Sequence, residues 1–142
     1  MPEAQATTPD LVERTRAFYD AMDRDWDFDA LAVFFAPAAV WDLSESHLGR
    51  YEGVGAIGEF LVGYWATWED HHHEIEEILN FGHGVLFVAI REDGRPRGSD
   101  GRVQARHLQV FEWVQGEIVR ITGHLDIDEA RAAAERVAQE RA

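Results

Sequence analysis

Histidine and carboxylate side chains are the groups of this chain that could do chemistry, because other common reactive groups are missing. The sequence has no cysteine, and all 13 of its positive residues are arginine. Disulfides, thiolate metal sites, cysteine nucleophiles and lysine Schiff bases are therefore excluded. The three serines lie outside any G-x-S-x-G turn, and no G-x-G-x-x-G follows a strand. Acid–base and hydrogen-bond chemistry remain.

The segment ITGHLDIDEARAA places His124 and Asp126 at the end of an apolar strand. Because side chains alternate along a strand, both lie on the face opposite Ile121. The apolar face suits the wall of a pocket, so the polar pair is expected to point away from it. Asp126 precedes Glu129 by three residues, which is the spacing of a capping box at a helix start. We therefore interpret Asp126 as a helix cap, with Asp128 as the competing cap.

The run His71-His72-His73 suggests a metal site, because His71 and His73 would share one face of a strand. A third ligand at fixed spacing is missing, and the chain has no H-E-x-x-H motif. The neighbouring Glu69 and Asp70 favour a solvated start of a strand. Neither a native metal site nor a cofactor is expected.

The elements that position these residues can be read from capping signals and hydrophobic periodicity. Thr8-Pro9-Asp10 is typical of a helix start, and Asp27 caps a second helix that Pro37 ends. Residues 54–68 have the periodicity of a third helix, and a last helix covers about 128–140. Period-two segments predict the strands VWDLS, HHEIEEILNF, VLFVAIRE, VQARHLQVFEWV and EIVRITGHLD. One curved sheet wrapped over helices is the simplest packing of this order.

Composition indicates one globular domain, with 142 residues of which 46% are hydrophobic and 28% charged. Residues 1–8 are expected to be a flexible N-terminus and residues 9–142 a single domain. No apolar run approaches a membrane span and no signal peptide is visible, so a cytoplasmic location is expected. The net charge of −14 argues against partners with phosphate backbones or anionic lipid surfaces. Neither nucleic acid nor membrane is therefore expected as a partner.

The strings AVWDLSESHLGRYEGVGAIGEFLVGYW and VFEWVQGEIVRITGHLDIDEARAA resemble SnoaL-like proteins. These belong to the nuclear-transport-factor-2-like superfamily, which includes ketosteroid isomerases and polyketide cyclases. The likeness covers roughly residues 10–133. It implies an α+β fold, a cone-shaped barrel in which a curved antiparallel sheet wraps over three N-terminal helices, with a short C-terminal helix. It also implies an apolar pocket for a small hydrophobic ligand and a homodimer through the convex sheet face.

Carried over residue by residue, the isomerase pattern places the general base on Asp42 of VWD. It places Phe18 where the isomerases have a tyrosine, and Gln109 where they have a second acid. An amide can still polarise a carbonyl. Tyr19, Tyr51, Tyr64 and His107 remain alternatives for the missing hydroxyl donor. The expected pocket lining is Phe18, Tyr19, Tyr64, Trp65, Phe111, Ile121 and Leu125.

Two functions follow from this resemblance. The first is a cofactor-independent isomerase, cyclase or hydratase acting on a small hydrophobic carbonyl or polyketide-like compound. In it Asp42 is the base and Gln109, with His107 or a tyrosine, is the electrophilic donor. The second is a non-catalytic small-molecule-binding module of the same fold. For Asp42 itself, a strand-end acid bonded to backbone or to an arginine is the structural alternative.

Overall fold

A computed structural model describes residues 10–142, so Thr8, Pro9 and the expected flexible N-terminus lie outside the described residues. Three helices with two strands among them are followed by an antiparallel series and a last helix. The sequence predicted this order with one strand among the helices. The elements are α1 (Leu11–Asp25), α2 (Phe28–Ala32), β1 (Phe35–Leu43), β2 (Gly49–Glu52), α3 (Val54–Trp65), β3 (Trp68–Gly82), β4 (Val85–Pro96), β5 (Val103–Val114), β6 (Glu117–His124) and α4 (Ile127–Arg141).

Aspartate caps set the starts of the first two helices. The side chain of Asp10 accepts from the backbone N–H of Glu13, and that of Asp27 from the N–H of Asp29. The predicted end of α2 at Pro37 is wrong, because the helix stops at Ala32 and Pro37 lies inside β1. The pairing of β1 with β6 is irregular over this stretch, where a residue without an N–H is tolerated.

The six strands form one sheet in the order β2-β1-β6-β5-β4-β3. β1 and β6 are parallel, and every other neighbouring pair is antiparallel. The parallel pair was not predicted. It arises because the last strand returns to lie beside the first. No strand was predicted at β2, because its four mostly exposed residues show no alternation of apolar and polar side chains.

Both faces of the sheet are covered. The helices α1, α2 and α3 pack on the concave face around side chains such as Phe18, Leu31 and Ile57. On the convex face, α4 packs its alanines against apolar residues of β4 and β5. Among residues 10–142, no helix is both long enough and apolar enough to cross a membrane.

The convex face, on which a homodimer was predicted, differs from expectation because α4 covers its apolar residues. The outward apolar residues Phe87, Leu108 and Val110 are packed beneath α4. Beyond that helix the convex face carries ion pairs, such as Arg91 with Glu74. The apolar residues of this face are thus covered by α4, and dimerisation through it stays a prediction.

Replacing Asp126 by Ala should lower the free energy of unfolding by about 1 kcal/mol, because the residue caps α4. Its side chain accepts from the backbone N–H of Glu129 at 2.9 Å, which confirms the predicted cap. Urea denaturation measures the effect, with Asp128→Ala as the control that keeps the cap. A loss of ligand affinity far beyond this destabilisation would contradict a purely structural role.

Candidate functional site

A cavity lies between the helices and the concave face of the sheet. It has about 520 Å³ of non-protein space, including the part that is open to solvent. Its apolar wall comes from α1, α3, β1 and their neighbours, and its polar wall comes from β3, β4 and β5. It is lined by Tyr19, Met22, Trp41, Leu43, Leu48, Phe60, Leu61, Tyr64, Trp65, His71, His73, Ile90, Glu92, His107 and Gln109.

Glu92 is the centre of the polar wall. It is in phase with the concave residues of β4, such as Ile90, and is 3% exposed. The hydroxyl of Tyr64 donates to both carboxylate oxygens, at 2.9 and 2.8 Å. His107 Nε2 lies 2.9 Å from Oε1, and His71 Nε2 contacts Oε2. Strand alternation thus brings two histidines to one buried carboxylate, and Tyr64 reaches the same carboxylate from α3.

His73 joins this cluster to α1. It stands directly opposite Glu92 in the pairing of β3 with β4, and its Nε2 lies 3.7 Å from Glu92 Oε2. On the other side of the ring, Nδ1 lies 2.7 Å from Asp23 Oδ1. The backbone N–H of His73 donates to Asp23 Oδ2, also at 2.7 Å. Two hydrogen-bond contacts with His73 therefore hold the carboxylate of Asp23 in place.

Charge and burial act in opposite directions on these groups. Burial favours neutral His73, but the hydrogen bonds and charges of Asp23 and Glu92 outweigh it and raise the pKa of His73 to about 8. Burial also disfavours charged Glu92, yet the hydrogen bonds from His107, His71 and His73 outweigh it and lower the Glu92 pKa well below its ordinary value. At neutral pH the cluster therefore holds a carboxylate at Glu92 and an imidazolium at His73.

Tyr19 and Gln109 form the second polar feature of the cavity. The hydroxyl of Tyr19 donates to Gln109 Oε1 at 2.6 Å. Burial, followed by the negative charges of Asp23 and Glu92, raises the pKa of Tyr19 well above its ordinary value, so the hydroxyl keeps its proton. Because the amide oxygen accepts from Tyr19, the amide NH₂ of Gln109 remains available as a donor.

Three of the expected lining residues border the cavity and four do not. Tyr19, Tyr64 and Trp65 line the cavity, as do the two predicted chemical groups Gln109 and His107. The other predicted lining residues do not border it. Phe18, Phe111 and Ile121 are fully buried in the core behind the wall, and Leu125 is 67% exposed because the strand ends at His124.

Asp42 is not part of the cavity, which corrects its predicted place as a pocket base. Its neighbours Trp41 and Leu43 line the cavity, so alternation turns Asp42 to the convex face. There its Oδ1 accepts from the backbone N–H of Ser44 at 3.0 Å, and its Oδ2 accepts from Arg120 at 3.2 Å. The structural alternative for this acid, a bond to backbone and arginine, is the one observed.

Asp42→Asn should leave any activity of the cavity unchanged. The hydrogen bonds from Ser44, with the charges of Arg120 and Arg50, lower the pKa of Asp42 below its ordinary value. Because this pKa is lower in the folded state than in the unfolded state, the carboxylate stabilises the fold at pH values above its unfolded-state pKa. The stabilisation is lost as the pH falls through the folded-state pKa. NMR titration of the carboxyl checks the shift. A raised pKa that responds to a cavity ligand would contradict this placement.

The interpretation of His71 and His73 as a solvated start of a strand is wrong. Both line the cavity, and only His72 between them is exposed. Glu92 and Asp23 were missed altogether. A signal for Glu92 was present, since it continues the alternation of Leu86, Val88 and Ile90. Asp23 gave no comparable signal, because its partner is 50 residues away in the chain.

Comparison with known families and structures agrees with this architecture. The family model of the SnoaL-like domain matches residues 15–121. A search of proteins with curated descriptions gives no match.

Solved structures with the same fold include proteins with bound small molecules. TerC co-crystallised with polyporic acid is 18% identical, with a TM-score of 0.68 over 88% of this chain and 97% of that chain. A protein with a ketosteroid isomerase-like fold from Catenulispora acidiphila, in complex with trimethylamine, is 15% identical over 82% and 91%, with a TM-score of 0.65. A protein provisionally named SnoaL-like polyketide cyclase, from Jannaschia sp. CCS1, is 15% identical, with a TM-score of 0.66 over 87% of this chain and 90% of that chain.

Proposed function

Because this chain belongs to the SnoaL-like family, we propose that it is an enzyme that moves protons on a small hydrophobic carbonyl compound without a cofactor. The reaction class is isomerisation, cyclisation, or addition or elimination of water. The observation that carries the proposal is the pairing of His107 with buried Glu92 beside the free amide donor of Gln109. Asp42, first predicted as the base, lies outside the cavity and has no part in the reaction.

His107 is the proposed general base. It lies on β5 with 29% of its side chain exposed, so a substrate in the cavity can reach it. When Nε2 donates to Glu92, the neutral ring carries its lone pair on Nδ1, which is free to accept a proton. Glu92 holds this tautomer and stabilises the imidazolium that forms, as the carboxylate does in other carboxylate–histidine pairs.

Gln109 is the proposed electrophilic donor. It lies two residues after His107 on the same strand, and both side chains line the cavity. Proton abstraction breaks a C–H bond next to the carbonyl, and the electron pair moves onto the carbonyl oxygen as an enolate. The amide NH₂ of Gln109 donates to this oxygen, while Tyr19 holds the amide in place. Return of the proton from His107 to a different carbon of a conjugated enolate shifts the double bond and completes an isomerisation.

The assay of this proposal needs no knowledge of the natural substrate. 2-Tetralone, a small cyclic ketone with acidic protons next to its carbonyl, is incubated with the protein in D₂O. We expect catalysed replacement of those protons by deuterium, followed by ¹H NMR, at a rate well above that in buffer. Exchange no faster than in buffer would contradict the enzymatic proposal.

A non-catalytic binding module is the second candidate. It is favoured by the hydrogen bonds that already satisfy Glu92, and by relatives of the same fold that hold small molecules, polyporic acid in TerC among them. Trp41 and Trp65 line the cavity, so a ligand should change tryptophan fluorescence. Saturable binding of 2-tetralone without deuterium exchange would support this candidate over the enzyme.

A further inference from the structure

Three potential metal ligands meet beside the polar wall of the cavity. Asp23, His71 and His73 each offer an oxygen or nitrogen atom, and these atoms lie within 4.8 Å of one another. His71 and His73 share the concave face of β3, and Asp23 comes from the last turns of α1. The sequence offered no third ligand at a fixed spacing from the two histidines. In the folded chain Asp23 of α1 supplies it.

The rings and the carboxylate are already held in position. The backbone N–H of His73 donates to Asp23 Oδ2, and His73 Nδ1 lies 2.7 Å from Asp23 Oδ1. Adjacent ligand atoms around a tetrahedral ion with bonds of about 2.0–2.2 Å lie about 3.3–3.6 Å apart, so binding an ion requires these two atoms to separate by less than about 1 Å. An ion at this place would replace the proton that the two residues share.

His71 contains a buried nitrogen with unused bonding capacity. Its side chain is 1% exposed and packs between the rings of Trp26 and Trp68. Nε2 contacts Glu92, whereas Nδ1 has no hydrogen-bond partner within the described part of the chain. A neutral ring that donates from Nε2 has its lone pair on Nδ1. Leaving such a group buried and unpaired is unfavourable, and bonding to an ion would offset this cost.

We propose that Asp23, His71 and His73 bind a divalent transition-metal ion of the zinc, cobalt or nickel class. Two imidazoles and one carboxylate suit these ions, whereas calcium and magnesium prefer oxygen ligands alone. Glu92 accepts from His71, which is the carboxylate–histidine–metal arrangement that orients metal-binding histidines. Three protein ligands leave zinc one open position for water or a ligand oxygen. This site goes beyond the proposed function, in which His107 and Gln109 act without an ion.

Metal binding can be measured directly on protein that carries no affinity tag and has been treated with chelator. Cobalt(II) is titrated with visible absorption as the readout, and zinc by isothermal calorimetry. We expect one equivalent to bind. His71→Gln and Asp23→Asn should each weaken binding more than about tenfold. His72→Gln removes an exposed histidine from the same strand and should leave the affinity unchanged.

Two results would overturn the site. One is the absence of stoichiometric binding to the wild-type protein. The other is an affinity that stays unchanged in both His71→Gln and Asp23→Asn, which indicates an adventitious ion only. Circular dichroism identifies a variant that fails to fold, and the remaining variant then decides. His107→Gln should keep the metal affinity, so failure of the metal site and failure of the proposed reaction are distinguishable.

Discussion

His107→Gln should reduce deuterium exchange of 2-tetralone by about 10²–10⁴-fold, the usual contribution of a general base. Glutamine can still donate to Glu92, but its amide cannot accept the substrate proton. Because the side chain of His107 is 29% exposed and borders the cavity, the variant should fold with little loss of stability. Tryptophan fluorescence should show that 2-tetralone still binds.

The matched control for this variant is His72→Gln. His72 lies on β3, which β4 separates from the strand of His107, and it is exposed, so its removal changes the same residue type outside the cavity. Its exchange rate should equal that of the wild-type protein. If both variants kept the full rate, His107 would not be the base. Loss of exchange together with loss of binding would assign His107 to ligand binding.

Glu92→Gln should lower the free energy of unfolding by about 3–5 kcal/mol, the typical cost of removing one partner from a buried charge pair. The carboxylate accepts from Tyr64 and contacts His71 and His107. A glutamine amide keeps one acceptor oxygen, but it turns two N–H donors toward groups that are themselves donors. Urea denaturation at constant pH measures the loss. Exchange should fall as well, because the tautomer of His107 is no longer held.

Glu74→Gln is the control for charge removal by itself. Glu74 lies on β3 and pairs with Arg91, but its side chain is 62% exposed on the convex face. An exposed pair contributes at most about 1 kcal/mol. If Glu92→Gln cost no more than Glu74→Gln, the buried carboxylate would not be what holds the histidines together.

The sequence determined most of the elements, β2 excepted, and the starts of α2 and α4, because these depend on local chemistry. Capping aspartates such as Asp27 and Asp126 act on N–H groups two or three residues away. Alternation along β5 also puts His107 and Gln109 on one face, and both line the cavity. Such features need only the periodicity of a single element.

Only the tertiary structure decided which charged residues meet. Asp42 and Glu92 are both acids inside apolar strands, yet Glu92 faces the cavity and Asp42 faces away from it. Strand pairing fixes which alternate residues of each strand face the cavity, and this produces the difference. Asp23 reaches His73 because α1 crosses the concave face, a contact between residues 50 positions apart. No local pattern encodes such a contact, because its energy exists only after the sheet and the helix have packed.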